Sequence, residues 1–342
     1  METIGHAAVK QRFERTLARG RLASTYLFVG PESVGKRRFA LELASALLCG
    51  AADPLRPLMA CGRCESCRLI ASGGGHPDLL IVSKPPGKST LPIELFLGRP
   101  DHRNREGLCH AVAMKPFLAT RRVAVIDDAD DLSVESANCL LKTLEEPPAH
   151  SVLILIGTSL SKQLPTIRSR CQVVRFGALS EGEVRAVLAR IGVGASGAGE
   201  PDAASLAAAS GGTVAGALAA QDVELAAFRQ EVMDTLERSA GFDPVRFGVA
   251  VLEQVQAGGA NPATRRDRLK RIIGYAVEHD RSALVECPHK CIRLIVLEVI
   301  VRCIIGGRFA FYEHQRYEFR YRNLRLEKHD AVIDLTDCQF VR

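Results

Sequence analysis

No stretch of this sequence is apolar for long enough to cross a bilayer. The most apolar late segment, Leu294 to Gly307, carries Glu298 and Arg302 and falls short of the roughly 20 residues that a spanning helix needs. No membrane partner is therefore expected. The opening residues, Met1-Glu2-Thr3-Ile4-Gly5-His6, lack a basic region followed by an apolar one, so no export signal is expected either. Internal repeats are absent, and so is any strong excess of one charge. The 45 Lys and Arg face 39 Asp and Glu, a formal charge of +6, which permits an anionic partner without requiring one.

What is present describes an ordinary globular protein. With 47% hydrophobic and 25% charged residues, the composition excludes disorder, collagen and a coiled-coil rod. At 342 residues one core is too few, and two or three domains are expected. Eleven cysteines without an export signal point to a reducing compartment, the cytoplasm, where thiolates ligate metals or lie buried more often than they pair as disulfides.

Short β-rich apolar runs recur at Tyr26–Val29, Leu79–Val82, Val123–Ile126, Val152–Ile156 and Val173-Val174. Such unalternated runs predict strands buried on both faces. Helical patterns lie between them. Phe39, Leu43 and Leu47 share one helix face, as do Ala137, Leu140, Leu141 and Leu144, and Pro147-Pro148 ends the second helix because proline removes a backbone donor. The alternation predicts a parallel α/β sheet. Past Phe176 the strand signal fades, and Ser180-Glu181-Gly182-Glu183 reads as a capping box opening a helix with Val184, Val187, Leu188 and Ile191 on its apolar face. Breaks follow at Gly192–Gly199 and Ser210-Gly211-Gly212, then long helical patterns run from about Asp222 to Leu284. The tail changes character, setting Tyr312, Tyr317 and Tyr321 among arginines. Those residue types touch nucleic acid, but the interleaved glutamates make a solvated helix face the plainer reading.

Four constellations carry chemistry. Gly30-Pro31-Glu32-Ser33-Val34-Gly35-Lys36 follows a predicted strand and precedes a helix, the context of a phosphate-binding loop with Gly30, Gly35 and Lys36 at the phosphates. The next residue is Arg37, where a magnesium-dependent loop needs a Ser or Thr hydroxyl. A protonated guanidinium cannot ligate a metal, so magnesium chemistry is disfavoured. Val123–Ile126 ends in Asp127-Asp128-Ala129-Asp130. Asp127 is the candidate metal-side acid, and Asp128 stands where a longer glutamate would orient the attacking water. Cys49, Cys61, Cys64 and Cys67 have the spacing of a closed, structural four-thiolate zinc site. Cys287-Pro288-His289-Lys290-Cys291 lacks a second ligand pair and makes a much weaker metal candidate. Finally, Leu164–Cys171 contains Arg168 and Arg170, and oligomeric NTPases complete a neighbour's site with such an arginine.

The order of the phosphate loop, the four-cysteine insertion, His76-Pro77-Asp78-Leu79, Ile126–Asp130, Leu140–Pro148 and Ser169-Arg170-Cys171 resembles the delta prime family of bacterial DNA polymerase III clamp-loader subunits. The motifs cover about residues 5 to 220, and a compatible helical pattern continues to about 285. The resemblance implies a RecA-like AAA+ module over residues 1–177 with a zinc insertion at 49–67, a helical lid at 178–220 and an all-α collar at 221–342, in which 287–342 departs from the expected pattern. It implies assembly with gamma/tau and delta subunits into a pentamer that opens the sliding clamp and loads it on primed DNA, DNA being reached through the complex. Arg170 matches the family's trans-acting arginine. Ala215 stands where gamma-type chains carry an ATP-sensing arginine. With Arg37 and Asp128 this makes three deficits, so a stator that hydrolyses little or nothing is expected, and binding of ATP or ADP stays open. The competing readings are a gamma/tau-like ATPase that hydrolyses ATP itself and a zinc-stabilised DNA-binding protein.

Overall fold

The computed structural model describes residues 2–275 apart from 54, 73, 74, 87, 104, 195–200, 238–243, 258, 260–263, 266, 267 and 270. The expectations for Cys287–Cys291, for the tail and for most of Gly192–Gly199 lie outside the described residues. The chain forms two compact units, Met1–Ala227 and Phe228–Arg342.

In the first unit, α1 (Ala7–Ala18) leads into β1 (Thr25–Val29), α2 (Lys36–Leu48), α3 (Glu65–Ser72) and β2 (Leu79–Val82). The short helices α4 (Glu94–Leu97) and α5 (Gly107–Ala113) precede β3 (Arg122–Ile126), α6 (Val134–Glu145), β4 (Ser151–Gly157), α7 (Pro165–Arg168) and β5 (Gln172–Arg175). The five strands are all parallel, in the order β2-β3-β4-β1-β5. Every apolar run read as a strand is one. The central strands β1, β3 and β4 are buried along almost their whole length, as continuous Val, Ile and Leu runs require when helices cover both sheet faces. Burial on both faces fails at the two edges. Ile81 of β2 is 44% exposed and β5 buries Val174 alone fully, because an edge strand has a neighbour on one side only.

One face of the sheet packs against α1 and α2 around Phe13, Phe28, Phe39 and Leu43, and the other against α6 around Ala137, Leu140 and Leu144. Phe13, Phe28, Phe39 and Phe176 form a set of tilted and edge-on ring contacts with centroids 5.1 to 6.0 Å apart, geometry that aromatic quadrupoles favour. α6 ends at Glu145, with Glu146 as its C-cap residue between the helix and the two prolines.

Among the described residues β5 is followed by α8 (Glu181–Arg190), α9 (Ala203–Ala208) and α10 (Val214–Ala219). Ser180 caps α8 in a complete capping box with Glu183. Val184 and Leu188 are buried and Val187 is half-buried, but Ile191 is 51% exposed. The helix stops at Arg190, so Ile191 leaves the apolar face that periodicity assigned to it. Leu188, Leu206 and Ala217 join the same core cluster as the sheet. α11 (Val223–Glu237) crosses the boundary at 227, and α12 (Pro244–Ala257) lies within the second unit. There Val232, Phe247, Val251, Leu269 and Ile272 are buried, and the Arg229 guanidinium lies 5.5 Å from the centre of the Tyr275 ring. Among the described residues no helix is long and apolar enough to cross a membrane.

Candidate functional site

The loop from Gly30 to Gly35 leaves the C-terminal end of β1 and enters α2, the edge of a parallel sheet where ligands bind in open α/β folds. A Cβ on Gly30 would lie 2.1 Å from the Phe176 carbonyl oxygen, so only glycine fits. Gly35 caps α2 with φ of 102°, a conformation that side chains disfavour. Lys36 is 7% exposed, and its Nζ donates to the carbonyls of Gly30 at 2.7 Å and Pro31 at 2.5 Å. The loop is also held from outside. His6 Nε2 lies 2.7 Å from Val34 O, and the Val214 N–H of α10 donates to Ser33 O at 3.1 Å.

Asp127 follows β3, and its amide donates to Val82 O at 2.8 Å. Its carboxylate pairs with Arg37, Nε to Oδ2 3.1 Å. Burial, then the adjacent Asp128 charge, raises the Asp127 pKa above the ordinary value, while the Asp128 N–H, Arg37 and Lys36 work against them. Asp128 is exposed and accepts the Lys84 N–H at 3.2 Å. Sequence reasoning gave Asp130 no separate role, yet its carboxylate joins the ends of two strands. It accepts from Thr158 N at 2.7 Å, Thr158 Oγ1 at 2.5 Å and Gln163 Nε2 at 2.5 Å.

The four cysteines gather at the other end of α2, which is ~20 Å long at 1.5 Å per residue. Cys49 ends α2, Cys67 lies in α3, and Cys61 and Cys64 come between them. All four Sγ atoms lie within 4.8 Å of one another. Cys49 and Cys64 are 3.9 Å apart, as are Cys61 and Cys67. Zn–S bonds of about 2.3 Å in a tetrahedron give sulfur separations of about 3.8 Å, so the donor set fits. The Cys61 amide donates to Cys49 Sγ at 3.3 Å and the Cys64 amide to Cys61 Sγ at 3.3 Å. N–H donors from Arg63 and Cys64 lower the Cys61 thiol to about 6, whereas burial pushes Cys67 up to about 12.

A second overlooked carboxylate, Asp78 of the His-Pro-Asp-Leu motif, is fully buried. It accepts the amides of Phe117, Leu118 and Ala119 at 2.7 to 2.8 Å and lies 3.6 Å from Arg122 Nε. It fixes the turn that leads into β3.

Arg170 is not part of the loop site. Its carbonyl accepts from Thr25 Oγ1 at 2.7 Å, at the beginning of β1, whereas the phosphate loop starts beyond the end of that strand. At about 3.3 Å per residue, five strand residues separate the two sheet edges by ~16 Å. The guanidinium is held within its own edge. Nε donates to Glu145 Oε1 at 2.7 Å, Nη2 bonds the same oxygen, and Nη1 donates to Thr166 O at 2.9 Å and Ser169 Oγ at 3.2 Å.

A family model described as DNA polymerase III, delta subunit, matches residues 5–180. A DNA polymerase III subunit delta' from Pseudomonas aeruginosa is 38% identical over 155 residues, 45% of this chain and 43% of that protein. A subunit delta' from Bacillus subtilis is 32% identical over 163 residues, covering 47% and 44%. A gamma/tau subunit from Mycobacterium bovis is 34% identical over 192 residues, covering 56% and 30%. The chain thus spans less than half the length of each of these relatives.

Proposed function

Because the chain belongs to the family described as DNA polymerase III, delta subunit, we propose that it serves as a delta prime stator in the DNA polymerase III clamp loader. In this reading residues 1–177 are the AAA+ module, 178–220 the lid and 221–342 the collar. The partners are gamma/tau and delta subunits in a pentamer that opens the sliding clamp and loads it on primed DNA in the cytoplasm. The observation that supports it most is the position of Arg170, at the sheet edge opposite this chain's own phosphate loop. A phosphate that Arg170 serves therefore belongs to another subunit. There its five N–H donors would meet the charge that develops on the γ-phosphate, a contact worth more in the transition state than before it. Glu145 holds the guanidinium in a set orientation until a stronger anion competes for it.

Zinc is the metal that four thiolates at these separations suit, and Cys49, Cys61, Cys64 and Cys67 would hold it. With no open ligand position its contribution is structural, fixing the chain between α2 and α3. Gly30, Gly35 and Lys36 would hold the phosphates of ATP or ADP, with Asp127 and Asp128 beside them. The gamma/tau-like reading, in which this chain hydrolyses ATP itself, is opposed by Arg37 at the hydroxyl position and by its pairing with Asp127.

The test is ATPase turnover by a complex reconstituted with delta and gamma/tau subunits, the sliding clamp and primed DNA. Arg170→Ala should cut turnover at the one site it completes by roughly a thousandfold or more, leaving the rate of the other sites. The isolated variant should lose less than about 1 kcal/mol of stability, since the Arg170–Glu145 pair is partly exposed and exposed pairs contribute little. An unchanged rate in an intact complex would sink the stator reading.

A further inference from the structure

In magnesium-dependent phosphate loops the residue after the loop lysine offers a hydroxyl to the ion, and the carboxylate that ends the metal strand faces the same ion. Neither half is available in this chain. Arg37 has no acceptor atom and stays protonated. Its Nε lies 3.1 Å from Asp127 Oδ2, so the charge partner of Asp127 is a guanidinium. A divalent ion entering here would have to break that pair and then sit beside two cations, Lys36 and Arg37, which like-charge repulsion opposes. The residues present do not fit magnesium.

They do fit phosphate oxygens. Gly30 brings the backbone to within the contact distance that excludes any side chain, and Lys36 is a buried ammonium whose present partners are carbonyls of the loop itself. The Arg37 side chain is 56% exposed, so its pairing with Asp127 does not seal it from a ligand. Among the described residues Asp127 is the one carboxylate it pairs with.

We propose that the Arg37–Asp127 ion pair stands in for magnesium, so that this loop takes a nucleoside diphosphate or triphosphate without a divalent ion. The inference rests on reading the chain as a non-hydrolysing subunit with a phosphate-type loop. The guanidinium paired with Asp127 supplies the positive charge that the ion supplies elsewhere, and it opposes entry of the ion.

Calorimetric titration of the full chain with ADP, once in magnesium and once in EDTA, tests it. The wild-type protein should bind ADP with affinities that agree within about threefold in the two buffers. Arg37→Thr, which restores the hydroxyl and frees Asp127, should bind at least tenfold more tightly in magnesium than in EDTA. A wild-type affinity that rises tenfold or more with magnesium would overturn the proposal, as would the absence of ADP binding. An Arg37→Thr loop that is equally indifferent to magnesium would overturn it too, since Arg37 would then not be what excludes the ion. If the variant fails to fold, the two wild-type titrations still decide. The Arg170→Ala comparison needs no nucleotide on this chain, so failure here and failure of the stator reading are told apart.

Discussion

Asp78 is the residue with the most to lose. Burial raises its pKa, but the three amides of residues 117 to 119 and Arg122 outweigh that effect and hold the carboxyl below its ordinary value of 3.8. A carboxylate whose folded pKa is depressed contributes stability that is fully present above the unfolded value. That contribution disappears as pH falls below about 3.8 toward the folded value. Asp78→Asn keeps the shape yet turns one acceptor oxygen into a donor facing N–H groups, so it should cost about 2–4 kcal/mol at neutral pH. Urea unfolding from pH 7 down to pH 3 checks this. The gap between wild type and variant should narrow on acidification, and a gap independent of pH would show that the carboxylate's charge is not what matters. Lys36 is the opposite kind of case, an ammonium whose pKa burial lowers against the pull of Glu32, Asp130 and Asp127. Its buried position suits a group that exchanges loop carbonyls for phosphate oxygens.

At the scale of elements, α2 links the two candidate sites, with the phosphate loop at its start and the first thiolate at its end. A structural metal contributes folding free energy directly because the unfolded chain holds no preformed site. Cys64→Ser should therefore leave the purified protein without stoichiometric zinc and lower its melting temperature. Elemental analysis and a thermal scan check both, and unchanged metal content and melting would refute the site. The elements themselves were largely readable from sequence. Five apolar runs became five strands, since buried parallel strands leave an unalternated signature, and Ser180 with Glu183 marked the start of α8 to the residue. Strand order was not readable, because nothing in the local pattern of β2 or β5 says that it lies at an edge; hence the unforeseen exposure of Ile81. Ile191 was misassigned for a related reason, as periodicity extends a helix face without sensing where the helix stops. At the candidate site the cysteine spacing and the loop glycines carried their own signal. Asp78 and Asp130 gave none individually, because their partners, backbone amides with Arg122 for the one and Thr158 with Gln163 for the other, are distant in sequence.

For the molecule as a whole, the two ends of the parallel strands carry different chemical groups. The C-terminal ends of β1, β3 and β4 gather the loop, Asp127 and Thr158, while the opposite edge carries Arg170 beside the start of β1. If Arg170 serves a neighbour as proposed, a subunit built this way would offer one neighbour its loop and the other its arginine. Heterologous contacts of that kind propagate around an assembly rather than pairing two equal faces, which agrees with the proposed place among gamma/tau and delta subunits.

The hydrogen bond from Val214 N to Ser33 O joins main chain to main chain, so it is invisible to ordinary mutational drift: no exchange of side chain at either end removes the donor or the acceptor. Proline alone does so. Val214 is the first residue of α10, a position where proline is welcome, and Thr213 before it already has the extended backbone, φ −126° and ψ 143°, that a following proline demands. Val214→Pro should thus cut a single thread between the phosphate loop and α10 while leaving the helix intact. Amide exchange should quicken at Gly35 and Lys36 with Gly216 and Ala217 unchanged, and equal protection of the loop in both proteins would mean that the thread carries no tension.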